Sequence, residues 1–509
     1  MNRLIRSFAI FLMMSSIGLC TAASQTAKEP APVPKKSQQA PTQTKAQQNE
    51  VSRIAIPPLP KFEPQQPRRI VLNNGMVVFL QENHELPVVG GTLRVRGGSR
   101  VEPKEKTGLM DIYGTVWRTG GSKQRTGDEL DDFLEVRAAK IETGSSDDST
   151  SISFNCLKGD FDQVFSAFRE LTFEPAFRDD KIDLIKKQLF AAISRRNDDI
   201  DDIAGRESVK LAYGADNPYA RIDEYATVLA VTRQDLLDWH ARFMHPENAI
   251  LGIYGDFDPA QMEAAIRKAF ESWPKGTKAT DPNIEFQPAK PGIYFIAKED
   301  VDQSSVQLVT LGIRRDNPDY FAVSVMNEIL SGGFASRLFS NLRTKQGLAY
   351  SVGGGVGSAW DHLGIQQYSI GTKSETTAKS IQSLKKELAD LIAAPPTAEE
   401  LKRAKDSILN SFVFNFDSKQ KVLAEKMRYE FYGYPVDFLE RYRAAIDKVA
   451  VADVLRVAQK YVHPDQLAIL VVGNPGEIGN QLAALGAVTN IDITIPPPPG
   501  APAAAGVKP

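Results

Sequence analysis

One half of this chain can be laid on the other. The run VTRQDLLDWHARFMHPENAILGIYGD, starting at Val231, aligns without a gap on VAVADVLRVAQKYVHPDQLAILVVGN, starting at Val449, at an offset of 218 residues. His245-Pro246 falls on His463-Pro464, Asp235 on Asp453, Leu237 on Leu455 and Gly255 on Gly473. Each copy reads as a helix, a His-Pro turn that stops it, and a hydrophobic strand closed by glycine. Upstream, Tyr213-Gly214 answers Tyr432-Gly433, and two helical runs end on Glu170-Leu171 and Glu387-Leu388. Two copies of a unit of about 215 residues are too few for a solenoid, so the pattern predicts two similar domains facing one another.

Each copy opens with strands. IVLNNGMVVFLQEN holds an Asn-Asn-Gly hairpin signal between apolar runs, and VVGGTLRVRGG alternates as a sheet strand does. Strands, then paired helices, then a returning strand predict an α+β fold of two homologous layered domains, mostly antiparallel sheet packed with helices. The domains are placed at 67–283 and 284–495, joined near DPNIEFQPAKPG. Before them, residues 1–23 carry Arg3 and Arg6, an apolar run from Phe8 to Leu19, and small residues, the pattern of a cleaved export signal. Residues 24–66 are rich in Pro, Gln and Lys and read as a disordered linker, and residues 496–509 as a Pro/Ala-rich disordered tail. The reading therefore places the mature chain in the periplasm with no membrane span; lipoprotein anchoring through Cys20 is the weaker alternative, because Leu19 stands where a small residue is expected. With Cys20 in the signal, Cys156 is expected to be unpaired. The net charge of −2 leaves no field of one sign to attract nucleic acid.

The segment GGSRVEPKEKTGLMDIYGTVWRTGGS puts Leu109, Ile112, Tyr113, Val116 and Trp117 at helical spacing, with Asp111, Gly114 and Thr115 on the neighbouring face and Gly120-Gly121 ending the helix. With Glu102 and the Thr107-Gly108-Leu109 opening, this run resembles the first helix of the pitrilysin/insulinase family of zinc peptidases, which includes the mitochondrial processing peptidase. The resemblance implies a duplicated clamshell half. In active members that helix carries H-x-x-E-H, two histidines on zinc and a glutamate that activates the bound water. Here those positions hold Asp111, Gly114 and Thr115, and the family's third ligand, expected about 75 to 80 residues downstream, maps to Ala192. No catalytic residue and no metal site is therefore expected on this chain. Nor do other residues rebuild one: His240 and His245 read as helix-end and turn packing, His84 and His362 as isolated, and Asp147-Asp148 as a solvated strand end.

SGGFASRLFSNLRTKQGLAYSVGGGVG resembles the motif of the family's C-terminal half, in which an arginine ends a helix and a tyrosine starts the next strand, both reaching substrate backbone beside the zinc. They map to Arg343 and Tyr350, with Phe334, Leu338, Phe339 and Leu342 as the expected apolar helix face and Gly347 as its cap. The resemblance implies a non-catalytic, substrate-binding partner subunit in a heterodimer, with zinc only on a homologous partner chain that hydrolyses peptides. Two other readings stand beside it: a stand-alone peptide-binding or envelope-assembly protein, and an active metallopeptidase with an atypical metal site.

Overall fold

The computed structural model describes residues 65 to 500. The expected export signal, all but the last two residues of the expected linker, and the last nine of the tail lie outside the described residues.

The first half runs β1 (Arg68–Val71), β2 (Val77–Glu82), β3 (Val88–Arg96), α1 (Leu109–Thr119), α2 (Gly127–Glu135), β4 (Lys140–Ser145), β5 (Ser149–Leu157), α3 (Phe161–Phe173), α4 (Asp179–Arg195), α5 (Ile200–Tyr213), α6 (Tyr225–Ala230), α7 (Arg233–Phe243), β6 (Ala249–Gly255) and α8 (Pro259–Phe270). After an irregular stretch the second half runs β7 (Gly292–Ala297), β8 (Gln303–Leu311), β9 (Ile313–Arg314), α9 (Tyr320–Ser331), a π-helical segment (Phe339–Lys345), β10 (Ser351–Val356), β11 (Ser358–Ala359), β12 (Ile365–Lys373), α10 (Thr377–Ala393), α11 (Ala398–Phe412), α12 (Lys419–Tyr432), α13 (Phe438–Lys448), α14 (Val451–Tyr461), β13 (Ala468–Gly473), α15 (Pro475–Ile478) and β14 (Val488–Asn490).

Each half builds a six-stranded sheet, in the orders β1-β2-β6-β3-β5-β4 and β14-β7-β13-β8-β12-β10, which match position by position. The sheets are mixed: β2 runs parallel to β6 and β7 parallel to β13, while the other main pairs are antiparallel. The match fails at one edge. β1 joins β2 as the antiparallel hairpin expected at Asn-Asn-Gly, with Gly75 supplying φ +96° in the turn, whereas β14 comes back from the far end of the chain and pairs parallel to β7.

Both faces of the sheets are covered at the central strands β6 and β13, which is why AILGIYG and AILVVG read as continuous apolar runs, whereas β5 and β12 alternate and the edge strands β4 and β10 are more open. In the first sheet Val78, Leu80, Leu251 and Ile253 face helices of their own half. Phe79 and Ile250, on the opposite face, are covered by Leu423, Met427 and Phe431 of α12, which belongs to the second half. The second sheet mirrors this. Val306, Leu308, Ile469 and Val471 face its own helices, and Ala468, Leu470 and Val472 are covered by Ile203, Ala204, Leu211 and Tyr213 of α5 from the first half. The two halves thus exchange equivalent helices, α5 for α12, both ending on the repeated Tyr-Gly; Gly214 and Gly433 follow at φ +96° and +72°. Gly252 makes the close approach of α12 possible, since a Cβ there would lie 2.2 Å from Met427 Sδ.

A polar seam fixes the end of α12. Arg94 donates to Asp148 at 3.0 Å and to Tyr432 Oη at 3.1 Å, its guanidinium lies 3.8 Å over the Phe431 ring, and the Tyr432 hydroxyl also donates to Asp148. Asp148 is accordingly 8% exposed, not the solvated strand end its sequence suggests. Burial raises its carboxyl, but Arg94 and the hydroxyls of Tyr432, Ser149 and Ser146 outweigh that and hold it below the usual carboxylate range. Cys156 is free and buried in β5, and burial pushes its thiol up to about 12.

Because each half covers a sheet of the other, removing one exchanged side chain should weaken both. Phe431→Ala is expected to lower stability by about 3–5 kcal/mol, the range for deleting a buried phenylalanine. Urea unfolding followed by Trp fluorescence and by circular dichroism should still give one shared transition; two separated transitions would show that the halves fold independently.

Candidate functional site

α1 starts at a glycine in the left-handed region, Gly108 at φ +98°. The Glu102 carboxylate, 6% exposed, accepts from the main-chain N–H of Met110 at 3.1 Å and of Gly108 at 3.3 Å, so it satisfies donors that the first turn leaves free. The apolar stripe read from the sequence is the buried one, and Trp117 Nε1 donates to Leu171 O at 2.8 Å. His240 completes this packing: Nε2 donates to Thr172 O at 3.0 Å, which leaves Nδ1 to accept from the Tyr113 hydroxyl at 2.9 Å. Burial lowers its pKa to about 4, so the imidazole is neutral and structural.

The other histidines are also engaged. His245 packs against Gly276, where a Cβ would fall 2.2 Å from its ring, and His463 Nε2 meets Lys460 O at 3.1 Å. Neither His84 nor His362 is isolated: His84 pairs with Asp256 at 2.6 Å, and His362 pairs with Asp361 at 2.7 Å and stacks 4.0 Å from Tyr219. Sequence distance hides the His84–Asp256 pair and the stacking of His362 on Tyr219, whereas Asp361 is the residue next to His362.

Of the degenerate positions, Asp111 and Thr115 are exposed and Gly114 is buried. Thr115 Oγ1 turns back onto Asp111 O at 3.0 Å. Gly114 lets β4 lie directly on α1: Thr143 Oγ1 donates to Gly114 O at 2.6 Å and Ser145 Oγ to Met110 O at 2.8 Å. A Cβ at 114 would stand 2.9 Å from Ser145 N, a main-chain atom that cannot step aside. The space of the family's general base is therefore filled by the neighbouring strand. Ala192 is exposed on α4 and offers no donor atom. Among the described residues no three His, Cys, Asp or Glu side chains converge as a metal site, and the donors present at 111, 114, 115 and 192 do not fit a catalytic zinc, which needs three protein ligands.

What does gather at the start of α1 is acid. Burial pushes Glu102 up to about 8 and Asp223 up to about 7, with Asp111 adding repulsion to both. Asp111 is reached by solvent, yet enough protein surrounds it that lost hydration, with Asp147 adding repulsion, holds its carboxyl above the usual range. Asp223 escapes sequence reading because it lies 112 residues from Asp111 in no recognisable motif.

In the second half, Leu338 and Leu342 are buried as expected, but Phe334 is 80% exposed: it sits in the turn before the helical segment, not on its face. Its ring meets Phe339 edge-on at 4.9 Å, and the Arg343 guanidinium lies 4.8 Å from the Phe339 centroid. No acceptor among the described residues meets that guanidinium, which is exposed. Gly347, at φ +61°, closes the segment by donating to Arg343 O at 3.2 Å. The chain is then pinned by Leu348 N to Leu342 O at 2.9 Å, Thr372 Oγ1 to Leu348 O at 2.7 Å and Tyr350 N to Gly371 O at 2.9 Å. Tyr350 is 51% exposed beside the start of the edge strand β10. Among the described residues no hydrogen bond, ion pair or ring contact links Arg343 or Tyr350 to α1.

Two outcomes test this geometry. Gly114→Glu should destabilise by about 1–3 kcal/mol through overpacking against β4, while Asp111→His and Thr115→His, at exposed positions, should each shift the melting temperature little. The triple variant should bind no stoichiometric zinc by metal analysis. The second concerns pH. A carboxyl raised in the folded state contributes stability that is full below its unfolded pKa and lost as pH rises through the folded one. The wild-type chain should therefore lose stability relative to Glu102→Gln between about pH 5 and pH 8.5; parallel melting curves across that window would refute the assignment.

The insulinase description (peptidase family M16) matches residues 77–212, and the description "peptidase M16 inactive domain" matches residues 230–408. A Helicobacter pylori protein named non-peptidase homolog YmxG is 25% identical over 403 residues, covering 78% of this chain and 91% of that one. A Mycobacterium leprae protein named an uncharacterized zinc protease is 23% identical over 346 residues, covering 67% and 77%. Among solved structures, a peptidase M16 inactive domain from Pseudomonas fluorescens superposes with a TM-score of 0.71 at 25% identity, over 81% of this chain and 98% of that one. A protease from Helicobacter pylori superposes at 0.70 and 20% identity, over 81% and 100%, a likeness of fold. With the zinc-binding and general-base side chains replaced and the space of the latter closed by β4, this chain belongs to the M16, or pitrilysin/insulinase, family as a catalytically inactive member.

Proposed function

We propose that this chain is the substrate-holding partner subunit of a periplasmic zinc peptidase of the same family, in which a homologous chain carries the zinc and hydrolyses extended peptides. The observation that carries this reading is the contrast between its two motifs. On α1 the side of Gly114 is sealed by β4 and no ligand set remains, whereas Arg343 and Tyr350 are solvent-exposed on a turn pinned at Gly347, Leu348 and Tyr350. A guanidinium with five N–H donors and no acceptor among the described residues suits the carbonyl oxygens of an extended peptide, and the phenol adds a hydroxyl. The zinc belongs, on this reading, to the partner.

The test is co-purification with an exported chain that bears an intact H-x-x-E-H, followed by peptide-hydrolysis kinetics. Arg343→Ala should lower the pair's kcat/KM by roughly ten- to a hundredfold, since each charge-assisted hydrogen bond contributes on the order of 1.5–3 kcal/mol. Tyr350→Phe should cost less, and both variants should still assemble. Unchanged hydrolysis with Arg343→Ala would leave this chain a scaffold. Peptide binding by the chain alone, with no partner recovered, would favour the stand-alone reading instead.

A further inference from the structure

We propose that the second half holds a separate binding pocket for a carboxylate carried on an aromatic or aliphatic group, with Arg315 as the residue that takes the anion. Arg315 directly follows β9, and its main-chain N–H is fixed to Ala359 O at 2.8 Å. Its guanidinium lies 4.1 Å from the centroid of Trp360 and 5.3 Å from that of Tyr320. Nε is sealed from water and has no hydrogen-bond partner, and no carboxylate, carbonyl or hydroxyl among the described residues accepts from the terminal nitrogens.

That isolation sets Arg315 apart from the other part-buried arginines among the described residues, all of which meet an acceptor. Arg100 and Arg137 also have a sealed Nε, but Arg100 bonds Asp361, Asp281 and Tyr219, and Arg137 bonds Phe133 O and Gln163. Arg428, which shares the Trp360 ring, is held by Glu425 at 2.6 Å. An arginine shielded on its aromatic side and unmet on its polar side is a donor array awaiting an external acceptor.

Two cavities meet at this side chain, of about 290 Å³ and about 410 Å³, and they share Arg315, Tyr320, Ile408 and Tyr442. Half of the residues that wall the first are aromatic, Phe412 and Phe438 among them. Sizes of this order suit a small ligand or a peptide end, and such walls suit an apolar group, which leaves the anion to the guanidinium. The charge count narrows the anion. In the first cavity Glu425 is met by Arg428, which leaves Arg315 as the unpaired cation and Glu328 of the second cavity as the carboxylate facing it, so a dianionic phosphate would bring more charge than Arg315 can match, whereas a carboxylate brings a single charge in a shape that matches the guanidinium fork. This pocket shares no residue with Arg343 or Tyr350, and its existence does not depend on the pairing proposed above.

The experiment is calorimetric titration of the mature chain, with the fluorescence of Trp360 as a second readout, against four probes: a hexapeptide ending in Phe with a free carboxylate, the same peptide amidated, an amidated peptide with an internal glutamate, and N-acetylphenylalanine. The free-carboxylate peptide is expected to bind about ten- to a hundredfold more tightly than its amide, and Arg315→Gln should abolish that preference. Preference for the glutamate peptide or for N-acetylphenylalanine would assign the same carboxylate chemistry to an acidic side chain or to a free aromatic acid. Should Arg315→Gln fail to fold, Ser411→Trp, at an exposed position on the first cavity, is expected to weaken binding with Arg315 intact. Equal binding of acid and amide, absence of binding to every probe at millimolar concentration, or binding indifferent to both variants would overturn the proposal.

Discussion

The exchange of α5 for α12 is the constraint from which the rest of the structure follows. A sheet of this kind has two apolar faces, and each half supplies helices of its own for one of them. Left alone, each half would show water the other face, which includes Phe79 and Ile250 in one case and Leu470 and Val472 in the other. Patches of that kind are not tolerated on a soluble monomer. Duplication solves the problem symmetrically, because the element that covers the partner sheet is the same element in both copies. The relative placement of α1 and of the Arg343 turn therefore rests on two buried helix-to-sheet contacts, and the stretch between α8 and β7 reinforces one of them, Gln287 N donating to Tyr213 O at 3.0 Å and Ala289 N to Leu211 O at 2.7 Å.

Within that frame the seam at Phe431 and Tyr432 adds direction to an otherwise greasy contact. Apolar faces slide; the hydrogen bonds of Arg94 and Tyr432 to Asp148 do not. Arg69 reinforces the register with two bonds to Glu430, at 2.9 and 2.8 Å. An exposed ion pair contributes little, but Asp148 is buried, and stripping either partner would leave an unmatched charge in the interface. The acidic and basic residues that read as surface in the sequence are thus the fasteners between the halves.

How much of this was legible depended on whether the information was local. The hairpin at Asn-Asn-Gly, the apolar stripe of α1 and the glycine cap at Gly347 rest on residues within a few positions of each other and can be read from periodicity and backbone preference, and the repeat, although its copies lie 218 residues apart, is a gapless match of one run on another. The helix exchange could not be read, since nothing in the sequences of α5 and α12 names the sheet they cover. Phe334 misled because its spacing to Leu338 is helical while Gly332-Gly333 delays the start of the helical segment past it. Asp148 misled because a strand end with two aspartates and three serines nearby looks solvated unless Arg94 and Tyr432 are known to be there. At Gly114 the sequence shows only a missing side chain; that β4 occupies the place follows from how the strand packs on α1.

The acids at the start of α1 act on one another through charge. Glu102, Asp111 and Asp223 repel one another, and the cation that bears on Asp223, Arg196, is already committed to Glu224 at 2.7 Å. Three carboxylates so placed cannot all stay ionised at low cost near neutral pH. Relief comes from the proton: Glu102 and Asp223 are the two groups pushed to about 8 and about 7. A protonated Glu102 still accepts through its carbonyl oxygen and so keeps part of the cap of α1, while Asp111, reached by solvent, is the one best placed to remain charged. The helix that carries metal chemistry elsewhere in the family is therefore held in this chain by packing against β4 and by the Glu102 cap, with burial favouring the protonated forms of Glu102 and Asp223.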